Sequence, residues 1–471
     1  MDLALKMPWV GVLVFFCAAM VPSESGDSCT ANVILEPAII LRMIQMTIIQ
    51  GNILEDMIMK AMKTGDNNKM IKGIKGLAIK DLVIVHIIPT LKEKNIVIVN
   101  LFLIVTVAGK SFIGGYMTIT VGGEMDMTGM ISCLPNGELI MKVTECKVVV
   151  KSCKTNLPSS MLPKIVNKFL DSTLGKVMPG VLCPAADLMM EKLKISFHTI
   201  LAKKPIGSIG YIVYKVAEKP IVYTTHISLI LKIQIEKKNG EPIQSECDPL
   251  PSDLPTKEGK SAAVFLPTQT VHTLMALYQE HLKTPVTKVK GSVPTSDQLK
   301  KMLPGAGLPA GKKLKIQLTH REYPLVSVSS TGNTIRTRIQ ASFLDVKRGN
   351  EVFSILMVHE CSAGISIKQE LLVISLKVGS CRTIEITSSA GDVSAAKKYM
   401  ETVMDAAIPH MNGVMSKNPV PLPSLMNVTG TPDDAEFIFE DKMMAVYKPV
   451  EPYTSEELGK EIKKQCNAIK F

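Results

Sequence analysis

Cysteine is the residue type whose spacing in this chain most directly indicates chemistry, and that chemistry is disulfide formation. None of the 10 cysteines forms a Cys-x-x-Cys pair, which argues against a zinc site or a thioredoxin-like redox centre. Cys146 follows a strand-like segment, and Cys183 lies in Leu182-Cys-Pro at the end of a predicted helix. We therefore predict a Cys146–Cys183 disulfide that joins helix and sheet. In the loop-entropy model, closing roughly 38 residues stabilises the fold by about 4 kcal/mol.

The other cysteines are harder to pair. Cys361 and Cys381 lie on segments predicted to be neighbouring strands. The pattern allows a second disulfide between them and does not decide whether it forms. The pattern assigns no partner to five others: Cys29, Cys133, Cys153, Cys247 and Cys466. One N-glycosylation sequon occurs, Asn427-Val-Thr429, and we predict that Asn427 carries a glycan on a surface loop.

Catalytic motifs are absent from the sequence. The 8 histidines form no His-Glu-x-x-His motif, and no Gly-x-Ser-x-Gly nucleophile elbow occurs. The glycine-rich stretch 305–312 lacks the spacing of a phosphate-binding loop and contains Pro309. We therefore predict that the protein is not an enzyme and uses no cofactor or metal.

Composition leaves two interpretations open. Hydrophobic residues make up 46% of the chain, aromatic residues only 5%, and there are 28 methionines. These residues either form an ordinary aliphatic core or surround an apolar cavity, since the flexible methionine side chain adapts to irregular partners. The formal net charge is +11, but the lysines are scattered. This pattern argues against nucleic-acid binding and allows a weak attraction to anionic lipid or lipopolysaccharide.

Residues 1–25 have the pattern of a secretory signal peptide. Lys6 precedes an apolar stretch from Trp9 to Met20, and the small residues Ser23 and Ser25 precede the expected cleavage site. The apolar stretch is too short to span a bilayer. We predict a secreted, extracellular protein without a transmembrane segment.

Periodicity predicts the elements that position the cysteines. Ile39 to Lys63 has a helical pattern with a wide apolar face. Residues 74–153 alternate as the strands of an antiparallel meander, with a bulge expected at Gly122-Gly123. A second amphipathic helix covers 161–182; it should kink at Pro179 and end near Pro184.

Residues 240–260 differ from their surroundings because four prolines stand among Asp, Ser and Glu. We predict an interdomain linker there, which separates an N-terminal domain, 26–239, from a C-terminal domain, 261–471. The second part repeats the order of the first: a helix, a strand meander and a long helix, here Val393 to Met415 with Pro409 inside. The sequence thus predicts an α+β fold of two modules, each a curved antiparallel sheet wrapped around long helices.

Taken together, these features resemble the bactericidal/permeability-increasing (BPI) and lipopolysaccharide-binding protein (LBP) family. The resemblance rests on the leader, Glu145-Cys146, Leu182-Cys-Pro184, the proline-rich segment, the stretch Thr268 to Tyr278 and Pro419-Val-Pro-Leu-Pro423. Within this family the chain is most similar to the long, two-domain PLUNC-type members, the BPI fold-containing family B, and it also resembles the vomeromodulin-like proteins. The resemblance implies a boomerang of two barrel-like domains joined by a central sheet.

The resemblance also implies an apolar pocket in each domain, between the long helices and the curved sheet, where relatives bind phospholipid or lipopolysaccharide. Five residues are the candidate pocket residues: Ile44, Ile48, Phe169, Leu174 and Val177. The helices that carry them have wider apolar faces than one packing contact requires. One feature departs from the family pattern: the turn at 108–115 contains a single lysine, Lys110, whereas lipopolysaccharide-neutralising relatives carry a lysine-rich tip.

The function expected from these observations is a secreted carrier of phospholipid or another hydrophobic small molecule. Two alternatives stay open: an innate-defence protein that binds lipopolysaccharide or bacterial surfaces, and a surface-active protein of mucosal fluid. The single lysine in the predicted tip argues against strong endotoxin neutralisation.

Overall fold

The computed structural model describes residues 29–50, 74–111, 116–156, 164–257, 259, 261–329, 331–368, 370–389, 392–423, 435–440 and 442–468. Side chains are described for all of these except residues 50, 74–79, 107, 111, 164–178, 181, 196, 199 and 465–468. The predicted leader and the predicted glycosylation site at Asn427 lie outside the described residues.

Four long strands form the first sheet: β2 (Ile74–Lys92), β3 (Ile96–Ser111), β4 (Tyr116–Cys133) and β5 (Leu139–Thr155). They are antiparallel neighbours in chain order. Met117, Ile119 and Val121 of β4 are buried, while the threonines between them are half-buried on the other face, as the alternation predicts. The register of β4 against β5 shifts between Gly122 and Gly123, which is the predicted bulge.

Two helices pack on this sheet: α1 (Pro37–Gln50) and α2 (Lys164–Ile200). α2 packs against β5, β4 and α1. Its second half buries a row of apolar side chains, Leu182, Ala186, Met189, Met190, Leu193 and Phe197. The burial of this face holds α2 on the sheet.

The predicted end of α2 near Pro184 is wrong, because the helix continues to Ile200 with Pro179 and Pro184 inside it. A proline in a helix lacks the N–H donor, and its ring meets the carbonyl group four residues earlier. That earlier residue is a glycine in both cases, Gly175 and Gly180, and glycine lets the backbone adjust. Burial of the turns that follow offsets the lost hydrogen bonds.

A nine-stranded central sheet takes strands from both halves of the chain. Its members are β1 (Thr30–Leu35), β6 (Lys204–Ile206), β7 (Gly210–Val216), β8 (Ile221–Val222), β9 (Ile227–Lys237), β10 (Pro242–Ile243), β11 (Ser261–Pro267), β20 (Glu436–Glu440) and β21 (Met443–Pro449). The order is β20-β21-β11-β1-β9-β7-β6, with β8 and β10 also paired to β9. Strands from before and after the proline-rich segment therefore share one hydrogen-bonded sheet.

The third sheet has eight strands, all from the second half of the chain. They are β12 (Thr284–Val286), β13 (Leu314–His320), β14 (Leu325–Ser327), β15 (Asn333–Asp345), β16 (Glu351–Lys368), β17 (Leu371–Leu376), β18 (Arg382–Thr387) and β19 (Val420–Pro421). The order is β12-β13-β15-β16-β17-β19; β14 also pairs with β15, and β18 with β16.

Three helices accompany the third sheet: α3 (Gln269–Gln279), α4 (Ser296–Met302) and α5 (Lys397–Lys417). Two short 3₁₀ helices, Pro304–Ala306 and Ser394–Ala396, lie after α4 and before α5. α5 packs against β12, β17 and β18 and buries Met400, Val403, Met404 and Ala407. Pro409 lies inside α5 and does not end it.

The last helix, α6 (Ser455–Ala468), returns to the first half of the chain and packs against α1 and β2. The Gln45 amide donates to the Tyr453 carbonyl and accepts from the Tyr453 N–H, both at 2.8 Å. The Arg42 guanidinium stacks 3.6 Å from the centre of the Tyr453 ring. Leu458 and Ile462 of α6 are buried, so this segment covers the outer side of α1.

Three disulfides occur in the described part of the chain: Cys29–Cys247, Cys146–Cys183 and Cys361–Cys381. Cys146 and Cys183 lie with their Cα atoms 5.8 Å apart and connect β5 to α2. The α+β fold of antiparallel sheets with long packed helices is confirmed. The domain limits 26–239 and 261–471 stay a prediction, since the central sheet and α6 both join the two halves.

Removing the Cys146–Cys183 bond should destabilise the protein. We expect the double variant Cys146→Ser/Cys183→Ser to lower the free energy of unfolding by about 4 kcal/mol, since the unfolded chain regains the entropy of the opened loop. Chemical denaturation without reductant measures the change. Cys133→Ser is the matched control, because the Cys133 thiol forms no disulfide in the described structure, and its effect should be a fraction of that. Equal midpoints for the two variants would contradict this role of the bond.

Candidate functional site

A small apolar cavity lies between α1, α2 and the first sheet. Its volume is about 30 Å³. Twelve side chains line it, and all are apolar: Ile40, Met43, Ile44, Val97, Val99, Met127, Ile131, Met141, Met190, Leu193, Phe197 and Ile227. A cavity with such walls offers no hydrogen bonds to a guest, and it favours hydrocarbon over water.

The periodicities of the elements place these side chains on the cavity. On α1, Ile40, Met43 and Ile44 are three and four residues apart, which puts them on one helical face. The same spacing brings Met190 and Leu193 of α2 together. From the sheet, β3 contributes two residues, β4 two and β5 one, namely Val97, Val99, Met127, Ile131 and Met141, and Ile227 at the start of β9 lies at the end beside the central sheet.

The cavity is far smaller than a lipid. Its volume of about 30 Å³ compares with the roughly 150 Å³ that hold a benzene molecule in an engineered protein cavity. Four of the lining residues are methionines, namely Met43, Met127, Met141 and Met190. Methionine side chains are unbranched and rotate readily, so these four are the walls that would move to admit a larger guest.

The predicted pocket residues separate into three groups. Ile44 lines the cavity. Ile48, one turn further along α1, is buried at 5% exposure but is not among the lining residues. Phe169, Leu174 and Val177 lie in the first half of α2, where only the backbone is described. Their pocket role stays a prediction, as does glycosylation at Asn427.

Sequence reasoning missed most of the lining residues. The second half of α2 supplies Met190, Leu193 and Phe197, but the helix was expected to end before them. The spacing of apolar residues from 186 to 197 carries the signal for this face. Pro179 and Pro184 predict an end to the helix, and the sequence-based helix therefore stops before residues 186–197.

The second small cavity differs from the apolar pocket expected in the C-terminal half. It lies between the central sheet and the end of β16, has a volume of about 20 Å³, and includes Glu370 and Lys448 in its wall. Lys448 is buried and Glu370 is half-buried, and their side chains form an ion pair at 3.3 Å. Lys204 donates to the Leu422 carbonyl nearby, and burial lowers the pKa of Lys204. A buried ion pair is a poor lining for a hydrocarbon chain.

A polar ladder crosses the outer face of the first sheet. His86 contacts the Asn100 amide at 2.9 Å, Asn100 donates to Glu124 and Asp126, and Lys151 pairs with Glu124 at 2.6 Å. The Lys151 ammonium and the Asn100 amide lower the pKa of Glu124. These groups form hydrogen bonds and an ion pair with one another across four strands, as a structural network does.

Within the described residues, no three side chains of His, Cys, Asp or Glu are grouped to hold a metal.

Two histidines are buried in the third sheet. Burial lowers the pKa of His320 to about 4 and the pKa of His359 to about 4. His359 has contacts with Met357 and Thr383. Neither ring nitrogen of His320 has a hydrogen-bond partner among the described residues. Both rings are therefore neutral at physiological pH.

The third sheet also presents an open polar groove on its outer face, with a volume of about 440 Å³. Its nine lining residues are Arg321, Glu322, Arg338, Gln340, Ser354, Leu356, Thr387, Ser388 and Ser389. No nucleophile–base pair that could support catalysis is formed by these side chains.

No protein-family model matches the chain. The structure is similar to the crystal structure of lipopolysaccharide binding protein, with a TM-score of 0.55, 13% identity, and coverage of 90% of this chain and 100% of that chain. In sequence, the chain is 30% identical to human BPI fold-containing family B member 6 over 333 residues, which are 69% of this chain and 73% of the relative. It is 25% identical to rat BPI fold-containing family B member 3, over 60% of this chain and 63% of the relative.

The three antiparallel sheets, their long helices and the likeness to lipopolysaccharide binding protein define a protein of the BPI fold. The sequence relatives narrow the assignment further. The chain belongs to the BPI fold-containing family B, as the resemblance predicted. No described helix is both long and apolar enough to cross a membrane.

Acid should destabilise the C-terminal half through its buried histidines. The folded pKa of about 4 at His320 and at His359 lies below the ordinary value of 6.5. Between these pH values the unfolded chain binds more protons than the folded chain does. The free energy of unfolding therefore has its full value above pH 6.5 and falls as the pH drops towards 4. The loss amounts to about 3 kcal/mol for each ring.

The variant His320→Leu tests this pH dependence. It removes a proton-binding site and an unsatisfied buried ring, so the acid loss should shrink without a loss of stability at pH 7. Denaturation midpoints between pH 4 and pH 7.5 measure both quantities. His281→Leu changes an exposed histidine and should keep the original pH profile. A His320→Leu profile as steep as that of the unaltered chain would contradict the prediction.

Proposed function

We propose that this protein is secreted and binds a lipid or another hydrophobic small molecule between α1, α2 and the first sheet. The observation that carries the proposal is the cavity with twelve apolar lining residues and no polar one, in a chain of the BPI fold-containing family B. A solved structure with the same fold is that of a lipopolysaccharide binding protein, which supports an amphiphile as the ligand class.

Hydrocarbon burial supplies the driving force. Each methylene group moved from water into the apolar site contributes about 0.8 kcal/mol. The described cavity, at about 30 Å³, is too small for an acyl chain, so binding requires that Met43 of α1 and Met190 of α2 change rotamer and that the helices move away from the sheet. A ligand with a long acyl chain repays this rearrangement more fully than a small apolar molecule does. We therefore infer an acyl-chain lipid as the ligand, admitted by opening of the helix–sheet contact.

Lipopolysaccharide is the second ligand considered. The likeness to lipopolysaccharide binding protein and the net charge of +11 favour an anionic amphiphile. The positive charge is scattered, however, and the turn at 108–115, where lipopolysaccharide-neutralising relatives carry a lysine-rich tip, has Lys110 as its single lysine. A neutral or zwitterionic phospholipid therefore fits this chain better.

Native mass spectrometry of the protein purified from its natural fluid tests the proposal directly. We expect a co-purifying lipid whose mass is released on denaturation, and phospholipid in the organic extract. An empty protein that also takes up no fluorescent phosphatidylcholine from vesicles would overturn the proposal.

A pair of variants on α1 locates the site. Ile44→Trp places a larger side chain in the cavity and should reduce uptake of a fluorescent phosphatidylcholine by about tenfold, because the space for the acyl chain is filled. Ile48→Trp is the matched control: it makes the same change one turn away, at a buried residue outside the cavity lining. Vesicle transfer assays measure uptake, and circular dichroism checks that both variants fold. Equal loss of uptake in the two variants would place the site elsewhere.

A further inference from the structure

The polar groove on the outer face of the third sheet is built by strand register. Gln340 of β15 lies opposite Leu356 of β16, and Leu356 lies opposite Thr387 of β18. These three side chains form the floor of the groove. Residues 321–322, after β13, and residues 388–389, after β18, form its two sides. The groove of about 440 Å³ is within the size range of small-molecule sites.

The charges along the groove are unequal. The Arg338 guanidinium pairs with Glu322 and lies 4.0 Å from Glu385, and Arg336 lies 3.6 Å from Glu385. Three guanidinium groups, including Arg321, thus stand beside two carboxylates. Among the described residues, no carboxylate lies within ion-pair distance of Arg321. One positive charge is in excess, and it sits on Arg321.

Gln340 orients the Arg321 side chain. The Arg321 Nε donates to the Gln340 Oε1 at 2.8 Å, and an Arg321 Nη atom donates to the same oxygen. The guanidinium has five N–H donors, so three are left for a ligand. A planar guanidinium matches the geometry of a carboxylate, which it binds through two parallel hydrogen bonds.

The rest of the groove offers hydroxyl groups and one apolar surface. The Ser388 hydroxyl donates to the Ser354 carbonyl at 2.9 Å, and the Thr387 hydroxyl lies 3.5 Å from the Leu356 carbonyl. Because these protons point to the backbone, the hydroxyl oxygens can accept hydrogen bonds from a ligand. Leu356 is half-buried in the floor, where the C–H face of a sugar ring can pack.

We propose that this groove is a second binding site, separate from the apolar cavity, for a sugar that carries one carboxylate. The carboxylate pairs with Arg321, and the sugar hydroxyls donate to Ser388 and Thr387 and accept from Gln340. A single excess positive charge suits a monoanionic sugar better than a doubly charged phosphate. The site would let the protein attach to acidic glycans of a mucus or cell surface.

Calorimetric titration of the full chain with sialyllactose, which has one carboxylate, and with neutral lactose tests the proposal. We expect binding of sialyllactose only. Arg321→Gln should weaken binding by about tenfold or more, the effect of losing a charge-assisted pair. Arg348→Gln, at an exposed arginine outside the groove, should bind like the unaltered chain. Thermal unfolding checks that both variants are folded.

Four results would contradict the proposal. The first is no measurable binding of sialyllactose, and the second is unchanged binding by Arg321→Gln. The third is competition by acetate or inorganic phosphate as effective as that of the sugar, which would reduce the groove to a nonspecific anion site. Preference for a sulfated over a carboxylated galactoside would also contradict the assigned charge group.

Discussion

The pairing of β1 on both of its edges is the constraint on which the rest of the structure depends. β1 (Thr30–Leu35) lies between β9 and β11, so its backbone groups join a strand before the proline-rich segment to a strand after it. Directly after β1, the buried Glu36 carboxylate accepts from the Lys257 N–H and, at 2.7 Å, from the Ser261 N–H. These bonds satisfy a charge that would otherwise be costly to bury.

The same junction changes how the proline-rich segment should be understood. Residues 244–260 contain no described strand or helix, as expected for a linker. Yet the segment is tied to the sheet near both ends, by the Cys29–Cys247 bond and by Glu36. Tethers of this kind remove most of the freedom of a flexible linker. The two halves are thereby held through a shared sheet in addition to the connecting chain.

Sequence periodicity predicted the elements whose residues interact with near neighbours in the chain. The alternation along β4 and the bulge at Gly122-Gly123 follow from local geometry, and both are present. The length of α2 did not follow, because the glycines that accommodate its prolines act only together with packing on the sheet. The Cys29–Cys247 pair spans 218 residues, and no local pattern reports such a contact.

The candidate site was predictable in kind but not in extent. An excess of Met, Ile and Leu indicates apolar surface, yet composition does not determine whether that surface meets itself or leaves a space. Ile44 and Ile48 are the same residue type on the same face of α1, one turn apart, and only their position along the helix relative to the sheet decides that Ile44 lines the cavity and Ile48 does not. The arginine groove is not predictable from the sequence for a similar reason. Arg336 and Arg338 fit the solvent-facing side of the alternating strand β15. The groove beside them is completed by residues of two other strands, β16 and β18.

The return of α6 to α1 has a consequence for how the protein is made. A ribosome delivers α1 more than 400 residues before Tyr453 and α6, the segments that bond to Gln45 and cover α1. During most of translation, the side of α1 that α6 covers in the folded protein is therefore without its partner. A topology of this kind leaves apolar surface exposed until the chain is complete, and transiently exposed apolar surface is what makes large proteins aggregate or bind chaperones during folding.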